Sequence, residues 1–566
     1  MIIKQRPLLH NIDLADSFHP VIKRILASRD IKDASELDYS LKNLLPYQDL
    51  LGINDAVDLL YDALKQQARI LIVADYDVDG ATSCTLAIKA LRQMGAQNVR
   101  FLVPNREKDG YGLTPQIVEQ DSNADLLITV DNGISSISGV EAAKQQGLKV
   151  LITDHHLPGQ DLPAADAIVN PNQAADKFAS KNLCGVGVIF YVMMALRARL
   201  REQNWFINQS IPETNLANFL DLVALGTVAD VVTLDYNNRI LVEQGLRRIR
   251  ADCCCPGIRA LIEVAQRTQN AITSNDLAFY LGPRINAAGR MDDMSYGIAC
   301  LLSDNDYAAQ QHAQLMQNFN QERRLAESKM QQQALEMLDI DDQLSLGVCL
   351  FEPQWHQGII GILASRIKDR LNRPVIVFTN DKPDFIRGSG RSVQGVHLRD
   401  IIEHIATLNP QMISYFGGHA MAAGLTIPRS QFEAFQQAFD EQVRKYISKD
   451  DLEGIILTDG NLRSEDFNLE LAEQLKMLTP WGQNFPEPVF ENKFELLQHR
   501  ILKEKHLKMQ VRPLDGGEPI DAIAFNTVDT NCVKQIQLVY KLDVNVFRGN
   551  KSLQLMVIEL DSPHAP

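Results

Sequence analysis

Three short apolar runs, each ending in acidic residues and separated by helical stretches, constrain this 566-residue chain more than any other feature. Residues 69–74 (RILIVA), 125–130 (DLLITV) and 148–153 (LKVLIT) are rich in Ile, Leu and Val, as strands covered on both faces must be. Residues 167–169 (AIV) add a fourth run. Residues 82–94 and 136–146 read as helices, the second closed by Gly147, where a helix C-terminus favours glycine. The spacing predicts a parallel, doubly wound α/β sheet beginning near residue 55.

A chain of this length holds roughly three or four domains. Residues 1–50 contain short amphipathic pieces and read as an N-terminal extension. Residues 306–338 have few breakers and carry apolar Leu315, Met316, Phe319, Leu325, Met330, Leu335 and Leu338. They suit one helix of about 50 Å, a rigid strut between domains. A second α/β pattern follows, with strands at 347–351 and 374–378 and a helix at 359–369. Beyond residue 451, alternating segments such as 507–511 (LKMQV), 521–525 and 553–558, split by turns like Asp515-Gly516-Gly517, read as a small β-barrel, OB-like as one option.

Hydrophobic residues make up 45% and charged residues 22%, which excludes a disordered or fibrous chain. The longest uncharged apolar run, 183–196, falls short of the roughly 20 residues a bilayer needs and reads as a buried helix. The first residues lack a secretory signal's apolar stretch, so the cytoplasm is the expected compartment. Adjacent Cys253, Cys254 and Cys255 match neither a zinc knuckle nor a redox pair. The net charge of −15 argues against a protein that coats duplex DNA. That argument weakens if acidic residues are gathered around metal ions, because a locally basic channel can hide inside an acidic total.

Asp75, Asp77 and Asp79 follow the first strand, Asp131 the second, and Asp154, His155 and His156 the third. All fall at the C-terminal edge of a parallel sheet, where ligands bind in open α/β folds. A lone aspartate after a strand is more often a helix cap or turn residue. Three successive strands delivering hard oxygen and imidazole donors to one edge shift that balance. Crowded carboxylates repel one another unless cations sit between them. Carboxylates with imidazoles and no thiolate fit Mn²⁺ or Mg²⁺, and this many donors can hold two ions, an arrangement suited to in-line displacement at phosphorus.

The segments DYDVDG at 75–80, VDNG at 130–133 and TDHH at 153–156, in this order on this strand pattern, resemble the DHH phosphoesterase superfamily. With GTVADVV at 226–232, GPRINAAGR at 282–290, GSGRS at 388–392 and GGH at 417–419, the resemblance narrows to its single-strand-specific 5′→3′ DNA exonuclease branch. It implies an α/β multidomain chain: an N-terminal extension over 1–50, a parallel-sheet DHH domain over 51–303, a long connecting helix over 304–343, a smaller α/β DHHA1 domain over 344–450 and an OB-fold domain over 451–566. It further implies Asp77, Asp79, Asp131, His155 and Asp230 as metal ligands, with Asp75 and His156 as ligands or as groups orienting water and substrate. Some relatives carry a histidine two residues before the first aspartate, where this chain has Val73; Asp75 is a candidate substitute.

For substrate, Arg106 could grip a terminal 5′-phosphate, a role the resemblance supports. Arg284, Asn286 and Arg290 belong to a small-residue run where backbone can approach a phosphate. Arg323 and Arg324 lie on the long helix. Ser389, Arg391 and Ser392 in GSGRS resemble an anion nest, with Gly418 and His419 near the same phosphates. His356 reads as structural. The implied activity is two-metal hydrolysis of single-stranded DNA to 5′-mononucleotides in repair and recombination, beside a helicase and a single-strand-binding protein. Duplex would be excluded by a narrow passage between domains. The alternatives are a phosphodiesterase for short oligonucleotides or cyclic dinucleotides and a non-catalytic scaffold; a scaffold would retain no metal after dialysis.

Overall fold

The structure, a computed structural model, describes every residue except 1, 11–13, 15–17, 106–109, 111, 122, 340–344, 448–451, 453, 528–533 and 562–566. The chain divides into two compact units, Gln5–Gln317 with Thr458–Pro566, and Met1–Lys4 with Asn318–Leu457.

In the first unit, β1 (Ile70–Ala74) leads through α1 (Val78–Gln93) to β2 (Val99–Leu102), followed by β3 (Leu126–Val130), β4 (Lys149–Thr153) and β5 (Ala167–Val169). These strands form one sheet in the order β2-β1-β3-β4-β5, every neighbouring pair parallel. β1 and β3 are buried at every position. One face packs Leu71, Val73, Leu127, Val150 and Ile152 against Ile117, Val118 and Val140, each apolar side chain contributing roughly 1.5–3 kcal/mol of transfer free energy. Strand order reverses between β1 and β3, so the loops leaving their C-terminal ends part there and open a crevice.

α1 begins four residues before the helix expected from the sequence, because Asp77 is its N-cap and accepts from the Gly80 amide at 3.1 Å. The acidic segment is thereby drawn into the helix's first turn. The buried helix expected over 183–196 is α2 (Gly185–Glu202), and α3 (Leu220–Ala229) ends with Asp230 at its C-cap. The GPRINAAGR segment is not an open phosphate-binding loop: it is α4 (Gly282–Met291), entered through a π-helical turn, Leu277–Leu281. Its small residues serve close packing. A Cβ on Gly289 would lie 2.3 Å from the Tyr76 carbonyl oxygen, so α4 is pressed onto the acidic loop.

α5 (Asp306–Asp339) matches the expected long helix and crosses the division between the units. Of the apolar residues named for it, Met316 and Met330 are buried but Leu325 is 73% exposed; the buried face also takes Ala309 and Ala313 in the first unit and Asn320, Arg323 and Glu327 in the second. The second unit's sheet comprises β6 (Val348–Phe351), β7 (Val375–Asn380), β8 (Phe385–Arg391), β9 (Tyr415–Gly418) and β10 (Ala422–Pro428), in the order β9-β10-β8-β7-β6. β6 and β7 are parallel and the remaining pairs antiparallel.

The C-terminal strands β11 (Phe490–Leu502), β12 (His506–Pro513), β13 (Ile520–Ala524), β14 (Gln535–Phe547) and β15 (Asn550–Asp561) close a five-stranded barrel in the first unit, as the alternating sequence predicted. The N-terminal segment joins it to the sheet domain. Arg29, its side chain 1% exposed, donates to both carboxylate oxygens of Asp459 at 2.7 and 3.0 Å, and Ser274 donates to the Trp481 carbonyl at 2.6 Å. Among the described residues no helix is long and apolar enough to cross a membrane.

Candidate metal centre

The carboxylates and imidazoles anticipated from the sequence converge at the crevice between β1 and β3. Asp75 and Asp77 leave β1, Asp79 sits in the first turn of α1, Asp131 follows β3, His155 and His156 follow β4, and α3 presents Asp230. Their donor atoms form three overlapping clusters, each with atoms within 4.8 Å of one another: Asp131 with His155 and His156, Asp79 with His155 and Asp230, and Asp75 with Asp77 and Asp131. His155 Nε2 lies 3.2 Å from Asp131 Oδ1, 3.5 Å from Asp230 Oδ2 and 3.9 Å from Asp79 Oδ2.

Several of the donors are held from outside the cluster. The amides of Gly185 and Val186, at the positive N-terminal end of α2, donate to the two oxygens of Asp79 at 2.5 and 2.8 Å. Asp131 adopts φ +64°, a left-handed conformation that aspartate tolerates, and its neighbour Asn132 donates to the carbonyls of Val73 and Val130 at 3.1 and 3.0 Å, tying the ends of β1 and β3 together. Val73 is fully buried in the core of the sheet, and Asp75 joins the cluster with Asp77 and Asp131. Asp154, which the sequence places at this edge but the resemblance does not name as a ligand, accepts from the His155 and His156 amides and from His156 Nδ1 at 2.8 Å. That bond leaves His156 Nε2 as the atom available to the site.

The electrostatics describe a site built for positive charge. Burial, then repulsion from Asp77, pushes Asp79 up to about 7 despite its two amide donors. Asp131 is driven well above the usual carboxylate range by burial and then by Asp79, Asp77, Asp75 and Asp230, and Asp230 rises by burial and its neighbours Asp79 and Asp77. Burial, then the charge of His156, holds His155 down to about 4, so its ring is neutral and able to act as a ligand. Burial opposes charge on His156 as well, but its bond to Asp154 and that carboxylate's charge outweigh it and raise His156 to about 9.

The donor set also passes a direct test of fit. Asp131 Oδ1 and His155 Nε2 are buried and make no hydrogen bond, although they lie 3.2 Å apart. Two orphaned buried acceptors aimed at one space are costly unless a cation shares them. Oxygen-rich donors with imidazole and no thiolate suit Mn²⁺ or Mg²⁺. A pH dependence follows. Carboxylates with raised values hold protons in the folded, metal-free protein that the unfolded chain has lost, so their stabilising protonation is complete below about 4 and disappears as pH rises through about 7. Metal binding expels those protons. The rise in melting temperature on adding Mn²⁺ is therefore expected to be small at pH 5.5 and to grow steadily toward pH 8; a pH-independent rise would contradict this site.

The proposed substrate residues fall into two groups, one in each unit. In the first unit, Arg284 is buried on α4, donating to Gln317 at 2.8 Å and to the Tyr280 carbonyl at 2.5 Å, and Asn286 and Arg290 are half-buried on the same helix. Arg106 lies outside the described residues. In the second unit, Arg323 is not a surface charge: it pairs with Glu327 at 2.7 Å, which also takes Arg366 at 3.0 Å; Arg324 is exposed. GSGRS does not form an anion nest. Its first four residues lie in β8, between β7 and β10, where their backbone pairs with both strands. Gly388 is small because a Cβ would meet Phe378 at 2.5 Å, and Ser392 is buried, donating to the Val396 carbonyl at 2.7 Å. Ser389 and Arg391 share the opposite, half-buried face of β8; Gly418 ends β9 and His419 follows it, exposed.

Comparison with known proteins agrees with this assembly. The chain matches the DHH family N-terminal domain over residues 69–227, the DHHA1 domain over 343–445 and the RecJ OB domain over 458–559. The single-stranded-DNA-specific exonuclease RecJ of Escherichia coli (strain K12) is 50% identical over 566 residues, covering 98% of each chain. The chain belongs to the RecJ family of enzymes. Among solved structures, RecJ of Thermus thermophilus in complex with Mn²⁺ covers 100% of this chain and 80% of its own, with 27% identity and a TM-score of 0.81. The Mg²⁺ complex of the same RecJ gives 25% identity and a TM-score of 0.77, covering 100% of this chain and 78% of its own.

Proposed function

We propose that this chain hydrolyses single-stranded DNA from its 5′ end, releasing 5′-mononucleotides, and that it does so with two Mn²⁺ or Mg²⁺ ions. The observation carrying this reading is the pair of orphaned buried donors, Asp131 Oδ1 and His155 Nε2, at the centre of three overlapping clusters. Asp77, Asp79, Asp131, His155 and Asp230 are the ligands in this reading, with Asp75 and His156 completing the second position or orienting water. The bound ions would supply a water acidic enough to attack phosphorus and positive charge at the leaving oxygen. The protein's part is positional. The α2 amides draw Asp79 toward its ionised form and aim it, Asp154 orients the His156 ring, and the buried setting strengthens every charge in the site.

Arg106, Arg284, Asn286, Arg290, Ser389, Arg391, Gly418 and His419 are proposed to contact the strand. The half-buried Arg391, beside Ser389, is the group in the second unit best suited to a phosphate, whereas Ser392 and Arg323 hold their neighbours and would act through them. The 5′→3′ polarity, the repair and recombination role, the helicase and single-strand-binding partners and the cytoplasmic setting rest on family membership.

The test is degradation of 5′-labelled and 3′-labelled single strands and matched blunt duplex with Mn²⁺, Mg²⁺ or chelator. Metal-dependent release of mononucleotide from the 5′ end of the single strand is the expected result. Cleavage of dinucleotides or cyclic dinucleotides with the long strand intact would replace this reading with a small-substrate phosphodiesterase. No hydrolysis of any of them would leave a scaffold.

A further inference from the structure

The connection between β5 and α2, residues 170–184, supplies none of the clustered donors, yet it holds two of them, His155 and His156, from behind and leads directly into the α2 amides that hold a third, Asp79. We propose that this connection is a bracket that holds the metal-binding side chains at a spacing fit for cations, with Asn170 and Asn172 as positioning residues. The proposal rests on the metal site and does not depend on which phosphodiester is cut.

At one end of the bracket, Asn172 Nδ2 donates to the His155 carbonyl at 2.5 Å and Asn170 Nδ2 to the His156 carbonyl at 2.9 Å. The two asparagines are themselves linked, since Asn170 Oδ1 accepts from the Asn172 amide at 2.8 Å. Asp154 already holds the amides of both histidines, at 2.7 and 3.1 Å. The backbone of the imidazole pair is thus held by its N–H groups on one side and its carbonyls on the other. An asparagine that merely shapes a turn bonds within that turn. These two reach back 14 and 17 residues to the pair that the clusters require.

At the other end, the segment delivers Gly185 and Val186 to Asp79. The ends are cross-braced. Lys181 Nζ donates to the Pro171 carbonyl at 2.7 Å, to the Asp176 carbonyl at 3.0 Å and to its carboxylate at 2.6 Å, while Asp176 also accepts from the Leu51 amide. A shift at the histidine end therefore carries to the Asp79 end. Partners that orient metal ligands typically contribute roughly 10- to 100-fold in affinity.

The experiment measures Mn²⁺ binding by the full-length protein, by electron paramagnetic resonance of free ion and by calorimetry, for Asn170→Ala and Asn172→Ala. Asn172 is half-buried, so its variant is the milder one. Two controls accompany them: exposed Asn208→Ala, and Ile117→Val in the core of the same sheet, which lowers stability without touching the bracket. A roughly 10- to 100-fold weaker Mn²⁺ dissociation constant in both asparagine variants, with neither control altered, is the expected result. Unchanged Mn²⁺ affinity alongside a lowered melting temperature would overturn the bracket and make both residues structural. Wild type that binds Mn²⁺ but leaves single-stranded DNA intact would sink the nuclease reading alone.

Discussion

Asp131→Asn is expected to abolish hydrolysis while making the metal-free protein more stable. The two effects have one cause. Asp131 belongs to two of the three donor clusters, so replacing one oxygen by an amide nitrogen disturbs both candidate ion positions. Loss of transition-state charge stabilisation at even one position is worth about 4 kcal/mol or more, a fall of at least about 10³-fold in rate. In the metal-free protein, however, the same carboxylate is buried among Asp79, Asp77, Asp75 and Asp230, which drive its titration well above the usual range. A neutral residue of the same shape removes that repulsion. Melting in chelator at pH 8 should therefore move upward, and the further rise on adding Mn²⁺ should shrink or vanish. A variant that loses activity and also melts lower in chelator would show that Asp131 is held by the fold for some other purpose than cations.

Apolar patterning was enough to place β1, β3, β4, β5, α2, α5 and, in the barrel, β12, β13 and β15; a strand buried on both faces in particular has few sequence solutions. The acidic edge was readable for the same reason: every clustered donor except Asp230 lies within a few residues of a strand end. Other features resisted. Helix α3 is buried along nearly its whole length and carries no amphipathic stripe, so nothing in its own sequence aims Asp230 at the cluster. Runs of glycine, serine and alanine are ambiguous because small residues serve equally for an open phosphate loop and for close packing. In β8 and α4 they do the second, against Phe378 and the Tyr76 carbonyl. The burial of Arg323 was invisible because an arginine paired with a glutamate four residues on looks the same on a surface helix. Backbone donors are anonymous in sequence. The glycine at the first turn of the apolar α2 was the one available sign that amides there approach another element.

That glycine is also where the smallest substitution should have a large effect. A Cβ on Gly185 would lie 2.5 Å from Asp131 Cβ and 2.7 Å from Asp131 Oδ1, far inside the roughly 3.5 Å at which carbon atoms attract. Neither side has room to yield. Gly185 is fastened through its amide to Asp79, and Asp131 is fixed by its own amide to the Thr153 carbonyl and by the tie that Asn132 makes between β1 and β3. The added methyl must therefore displace the orphaned oxygen itself. In an ordinary helix the change from glycine to alanine is favourable by roughly 0.5–1 kcal/mol, so Gly185→Ala should reverse the usual sign. The expected outcome is a fall of about 10²-fold in hydrolysis, as a misplacement near 1 Å can produce, with weaker Mn²⁺ binding and a lower melting temperature. Gly424→Ala, whose nearest neighbour would lie at 3.9 Å, is the control and should leave Mn²⁺ affinity unaltered. If Gly185→Ala instead bound Mn²⁺ as wild type does, Asp131 Oδ1 could not be where the cation is held, and the centre would have to be rebuilt around Asp79, His155 and Asp230 alone.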